Sequence, residues 1–106
     1  MTGWARGDDV RIVFAFPEDI DITGMQILFT VKRAPDDDPD DSTALVAVDA
    51  AITDAHTAEV VLSSAESDLP PRQYAWDLKI VDADGRSTHT SVGQLTVRPV
   101  VTNRVP

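Results

Sequence analysis

Apolar residues alternate along several short stretches of this chain. In "DVRIVFAF" Val10, Ile12, Phe14 and Phe16 recur at period two, which predicts a strand. Val13 and Ala15 make its second face apolar too, so we expect this strand to be covered on both sides. Pro17 ends it, because proline cannot donate to a sheet ladder. "MQILFTVKR" reads as a second strand, with Ile27, Phe29 and Val31 alternating against Leu28, Thr30 and Lys32. "ALVAVD" (44–49) and the β-branched "AEVVLS" (58–63) read as a third and fourth, and "AAITDAHT" between them as a hairpin loop with Ile52 inward.

"SSAESDLPP" breaks the alternation. Ser63 and Glu66 have capping-box spacing, and Pro70-Pro71 forbid extension. This predicts one helical turn, with Leu69 at the core edge. "RQYAWDLKIVD" is the clearest strand: Tyr74, Trp76, Leu78 and Ile80 share one face, with Trp76 as the central core aromatic. Asp84-Gly85 signals a tight hairpin whose two central residues both take positive φ. "STHTSVGQLTVRP" returns as the last strand, with Leu95 and Val97 inside. The sum is an all-β, immunoglobulin-like antiparallel β-sandwich of about seven strands with one short helical turn. The expected division is a sandwich domain over 1–97 and an extended C-terminal arm over 98–106.

Composition narrows the function. At 106 residues the chain is long enough for one core, and 42% hydrophobic with 25% charged residues is an ordinary globular balance. No cysteine is present, which removes disulfides, thiol nucleophiles and cysteine-bound zinc together. A net charge of −9, with basic residues scattered singly apart from Lys32-Arg33, argues against nucleic acid as a partner. No signal peptide is expected at "MTGWARGDDV", and no stretch has the length of a membrane helix, so no membrane partner is expected and the chain should be made in the cytoplasm.

Candidate chemistry is sparse. Asp36, Asp37, Asp38, Asp40 and Asp41 crowd into six positions around Pro39. Asp36, Asp38 and Asp40 are spaced like the first ligands of an EF-hand loop. That loop then needs Gly at its sixth position and Glu at its twelfth, where this chain has Asp41 and Ala47. The run is read first as a solvated loop, second as a docking patch for a basic partner, and third as a calcium site. Arg6-Gly7-Asp8 matches a cell-adhesion tripeptide but reads as the lead-in to the first strand. His56 and His89 lie apart, without a nucleophile or orienting carboxylate in a recognisable motif, and no phosphate loop or cofactor fingerprint occurs. We therefore expect no enzyme and no cofactor. Trp4 stands in a polar stretch, where it either folds back onto the sandwich or anchors a partner. Arg98, Val100, Val101, Arg104 and Val105 form an arm that either adds a strand to a neighbour's edge or frays.

Taken in order, "RGDDVRIVFAF", "DIDITGMQILFTVKR", "LSSAESDLPPRQYAWDLKIVDADGR" and "GQLTVRPVVT" resemble a family of small immunoglobulin-like domains in tailed bacteriophages. The pattern is similar to that of the N-terminal domains of siphophage upper baseplate proteins. It spans about Gly7 to Val101. Arg72 stands where the family often has glycine after the prolines, which alters a turn. The resemblance implies a structural virion protein: a docking adaptor in the tail, baseplate or fibre-attachment region, present in several symmetric copies and binding other virion proteins. A capsid decoration protein is the alternative, and a host-surface carbohydrate-binding module ranks last because only six aromatic residues are available. The family offers no catalytic residues to carry over.

Overall fold

The computed structural model describes residues 2–38 and 41–101. Its strands are β1 (Gly3–Ala5), β2 (Val10–Ala15), β3 (Gln26–Lys32), β4 (Val46–Asp49), β5 (Ala51–Asp54), β6 (Thr57–Leu62), β7 (Arg72–Val81) and β8 (Ser87–Arg98), with one helical turn, α1 (Ser64–Ser67). They form a five-stranded sheet in the order β1-β8-β7-β3-β4 and a three-stranded sheet in the order β2-β6-β5. The chain is thus an all-β sandwich, as its alternating pattern predicts.

Three details of the strands depart from the expectation. The described residues hold eight strands, because "AITD" is itself a strand, and β5 and β6 pair across the turn at Asp54–Thr57. The first strand is Gly3–Ala5, and it runs parallel to β8, with Trp4 opposite Val97. A three-residue strand has no alternation to read, so it is invisible in sequence. Gly3 is required there: a β-carbon would lie 1.9 Å from the Thr96 carbonyl oxygen. The strand "VRIVFA" is covered on one side only, since Val13 is 56% exposed.

The core follows the period-two positions. Ile27, Phe29 and Val31 of β3, Tyr74, Leu78 and Ile80 of β7, and Leu95 and Val97 of β8 face Ala58, Val60 and Leu62 of β6. Phe14, Phe29 and Trp76 meet with ring centroids 5.8–6.1 Å apart, within the range of favourable aromatic pairs. Trp76 is half-buried and packs against this core, and its indole N–H finds no acceptor among the described residues.

Local motifs set the connections. Ser63 and Glu66 form the expected capping box, with the Glu66 amide donating to Ser63 Oγ and the Ser63 amide to Glu66 Oε1. The Tyr74 hydroxyl donates to the Pro70 carbonyl and locks the entry into β7. The β7–β8 turn differs from the expected one. Only Gly85 takes positive φ (79°), and the Gly85 amide donates to the Asp82 carbonyl. The Asp82 carboxylate accepts from the Asp84 and Arg86 amides, Ala83 and Asp84 do not take positive φ, and a three-residue loop results. The connector after β2 is also pinned. Ile22 is fully buried, its amide donates to the Ala55 carbonyl, and His56 Nδ1 lies 2.8 Å from the Ile20 carbonyl.

Candidate functional site

Outward positions on three adjacent strands build one polar-apolar patch on the five-stranded sheet. Alternation turns Thr30 and Lys32 of β3, Ala75 and Asp77 of β7, and Val92 and Gln94 of β8 away from the core. Register then places Thr30 opposite Asp77, Lys32 opposite Ala75, Asp77 opposite Val92 and Ala75 opposite Gln94.

The acidic loop closes over this patch. Lys32 Nζ lies 2.8 Å from Asp36 Oδ1 and 2.9 Å from Asp41 Oδ1. The Lys32 side chain is only 13% exposed, so the loop is tied to the sheet and is more than the solvated turn that its composition suggests. Asp36 also accepts from the Asp38 amide and the Thr43 hydroxyl. Asp38 accepts from the Ser42 amide and hydroxyl. Lys32, then Thr43 and the Asp38 amide, hold the Asp36 carboxyl down to about 2, and the two carboxylates raise the Lys32 ammonium above its usual range. Asp41 adopts φ of 53°, the single positive φ among the described non-glycine residues. Asp37 is exposed, and Asp40 lies outside the described residues.

Beneath the loop is a cavity of about 360 Å³, lined by Lys32, Asp36, Asp41, Asp77, Val92 and Gln94 among others. Asp77 makes no hydrogen bond or ion pair among the described residues. Burial pushes its carboxyl above the ordinary range; Lys79 and Lys32 oppose that rise and Asp41 adds to it. Beside it Val92 is 76% exposed. Among the described residues no three acidic or histidine side chains are arranged to hold a metal ion. The Lys32 ammonium already occupies the place between Asp36 and Asp41 that a cation would take.

The other candidates distribute differently. Trp4 is 4% exposed, and its indole N–H donates to the Ser67 carbonyl at 2.8 Å. It belongs to the core and does not stand out to anchor a partner: no apolar run flanks Trp4 in sequence, but Ser67 and Val97, which it meets, are distant in the chain. Arg6, Gly7 and Asp8 form the turn between β1 and β2, where Arg6 bonds Asp68 at 2.8 Å. Arg98 is the last residue of β8, and its carbonyl accepts from the Arg6 amide. Val100 is half-buried and Val101 almost fully exposed, while Arg104 and Val105 lie outside the described residues. His56 is spent on the Ile20 carbonyl, and His89 lies near Ser91 on an exposed part of β8.

Sequence reasoning missed Lys32, Asp77, Val92 and Gln94. Alternation marks each as outward, but only the pairing register brings them together. No protein-family model matches this sequence, and no curated protein matches it.

Proposed function

We propose that this chain is a non-catalytic docking module: an immunoglobulin-like adaptor in the tail, baseplate or fibre-attachment region of a tailed-phage virion. The sequence resemblance supplies the setting. Two structural features support the immunoglobulin-like reading. The order β8-β7-β3-β4 against β2-β6-β5 corresponds to the G-F-C-C′ and B-E-D sheets of such domains, with β1 as a first strand that has crossed to the larger sheet. Tyr74 near the start of β7, bonded back to Pro70, has the form of a tyrosine corner.

The observation that supports docking is the outer face of the five-stranded sheet. It offers a cavity whose loop wall is held by Lys32 before any partner arrives, a carboxylate unpaired among the described residues, and a largely exposed valine. Preorganised surfaces of this kind lose less entropy on binding. In the assembled particle the partners are other virion proteins, and several symmetric copies are present. Gold-labelling of intact virions with an antibody to this chain tests the reading. Label at the tail tip is the expected result. Label spread over the head would overturn the adaptor reading in favour of capsid decoration, and unlabelled particles would remove the virion setting.

A further inference from the structure

Among the described residues three carboxylates, Asp36, Asp41 and Asp77, stand around the cavity against one ammonium, Lys32. Asp36 and Asp41 are engaged with that ammonium. Asp77 is not engaged among the described residues, and it sits opposite Val92 in the strand register. Lys79, two residues along β7, is the other base that acts on Asp77, and it lies outside the cavity lining. A half-buried carboxylate without a partner costs free energy unless a cation reaches it. We propose that this cavity receives an arginine side chain from a basic segment of a partner protein, with Asp77 as the carboxylate that binds it and Ala75 and Val92 as the wall along its methylenes. The inference rests on the docking reading and names the chemistry of the docked group.

Arginine fits better than the other cations. Its planar fork places two N–H groups on one carboxylate, and it sheds water more readily than an ammonium. The guanidinium carries five N–H donors, so those left over face the Thr30 hydroxyl and the Gln94 side-chain amide oxygen. Its three methylenes cover apolar surface that is otherwise wet. A calcium ion would need six to eight oxygens, and it would meet the Lys32 ammonium at close range. A phosphate would meet three carboxylates. Partner charge of the opposite sign also suits a chain of net charge −9.

The test uses the full chain, ¹⁵N-labelled, titrated with N-acetyl-arginine methylamide and, separately, with the neutral isostere N-acetyl-citrulline methylamide. Expected are saturable shifts at the amides of Ala75–Asp77 and Val92–Gln94 with the arginine probe alone. Asp77→Asn should weaken that binding at least tenfold. Val92→Arg, a change at an exposed position, should set an internal guanidinium over the cavity and block the probe even if Asp77→Asn fails to fold. Equal shifts with both probes, or no shift at these amides, would overturn the proposal, as would binding unchanged in both variants. So would the same pattern raised by calcium chloride alone. Virion labelling reports separately on the docking reading: tail-tip label with a silent titration would sink the arginine site and leave the adaptor standing.

Discussion

A β-carbon on Gly93 would lie 2.8 Å from the indole nitrogen of Trp76, directly across the β7–β8 ladder. Two further ring carbons would be at 2.9 Å. The indole packs against Phe14 and Phe29, and these rings limit how far it can move away. Gly93→Ala should therefore cost about 1–3 kcal/mol, as overpacked core positions do. Thermal melts of the variant check this; an unchanged melting temperature would mean that Trp76 has room to shift.

Trp4→Phe keeps most of the apolar volume and removes the donor to the Ser67 carbonyl. That carbonyl keeps the Leu69 amide at 2.9 Å, so the cost is that of one lost hydrogen bond, about 0.5–1.5 kcal/mol. Urea unfolding should show a lower midpoint with an unchanged slope. Full solvent exposure of the Trp4 indole, seen by fluorescence quenching, would contradict its place in the core.

Tyr74→Phe removes one hydroxyl that donates to the Pro70 carbonyl at the entry to β7. The expected loss is about 0.5–1.5 kcal/mol, read from the same denaturant curves.

The fold was largely legible where period two runs for six or more residues. β7 shows Tyr74, Trp76, Leu78 and Ile80 on one face, and β3 shows Ile27, Phe29 and Val31. The helical turn was legible because a capping box is a local device: Ser63 and Glu66 need no distant residue to form it. β1 was not legible, since its pairing depends on Thr96–Arg98 at the other end of the chain. The role of Trp4 was hidden for the same reason: its acceptor lies 63 positions away. In the candidate site the aspartates stood out and their anchor did not. Lys32 sits at the end of a strand pattern, and nothing nearby says that the loop turns back onto its ammonium.

That anchor makes a prediction about pH. The Asp36 carboxyl is held at about 2, against an ordinary 3.8, so its contribution to stability is complete above 3.8 and is lost as pH falls through about 2. The Lys32 ammonium is raised above its ordinary 10.5, so its contribution persists below that value and disappears only in stronger alkali. In Lys32→Met the Asp36 carboxyl should move up toward its ordinary value, followed by carboxyl-carbon NMR. The stability advantage of the wild-type chain over this variant should shrink as the pH drops from 3.8 toward 2. An Asp36 titration identical in the two proteins would show that the loop is not held by this pair.

Asp77 behaves in the opposite sense. Burial raises its carboxyl, so the folded chain favours the protonated form, and stability falls as pH rises from 3.8 through the raised value. Asp77→Asn should melt at a higher temperature than wild type at neutral pH, and the gap should close in acid below about pH 4. A variant less stable than wild type at pH 7 would mean that the carboxylate has a native partner.

The parallel pairing of β1 with β8 has a mechanical consequence. Chain enters this pair at Thr2, beside Thr96, and leaves it past Arg98, beside Arg6. Opposed tension on the two ends of the domain therefore runs along the strands and loads their hydrogen bonds together in shear, where an antiparallel pair would peel open one bond at a time. The Thr96 amide bonded to the Thr2 carbonyl and the Arg6 amide bonded to the Arg98 carbonyl brace the two ends of that short clamp. A module threaded between larger parts of an assembly by its two termini would transmit pull through this seam and spare the core behind it.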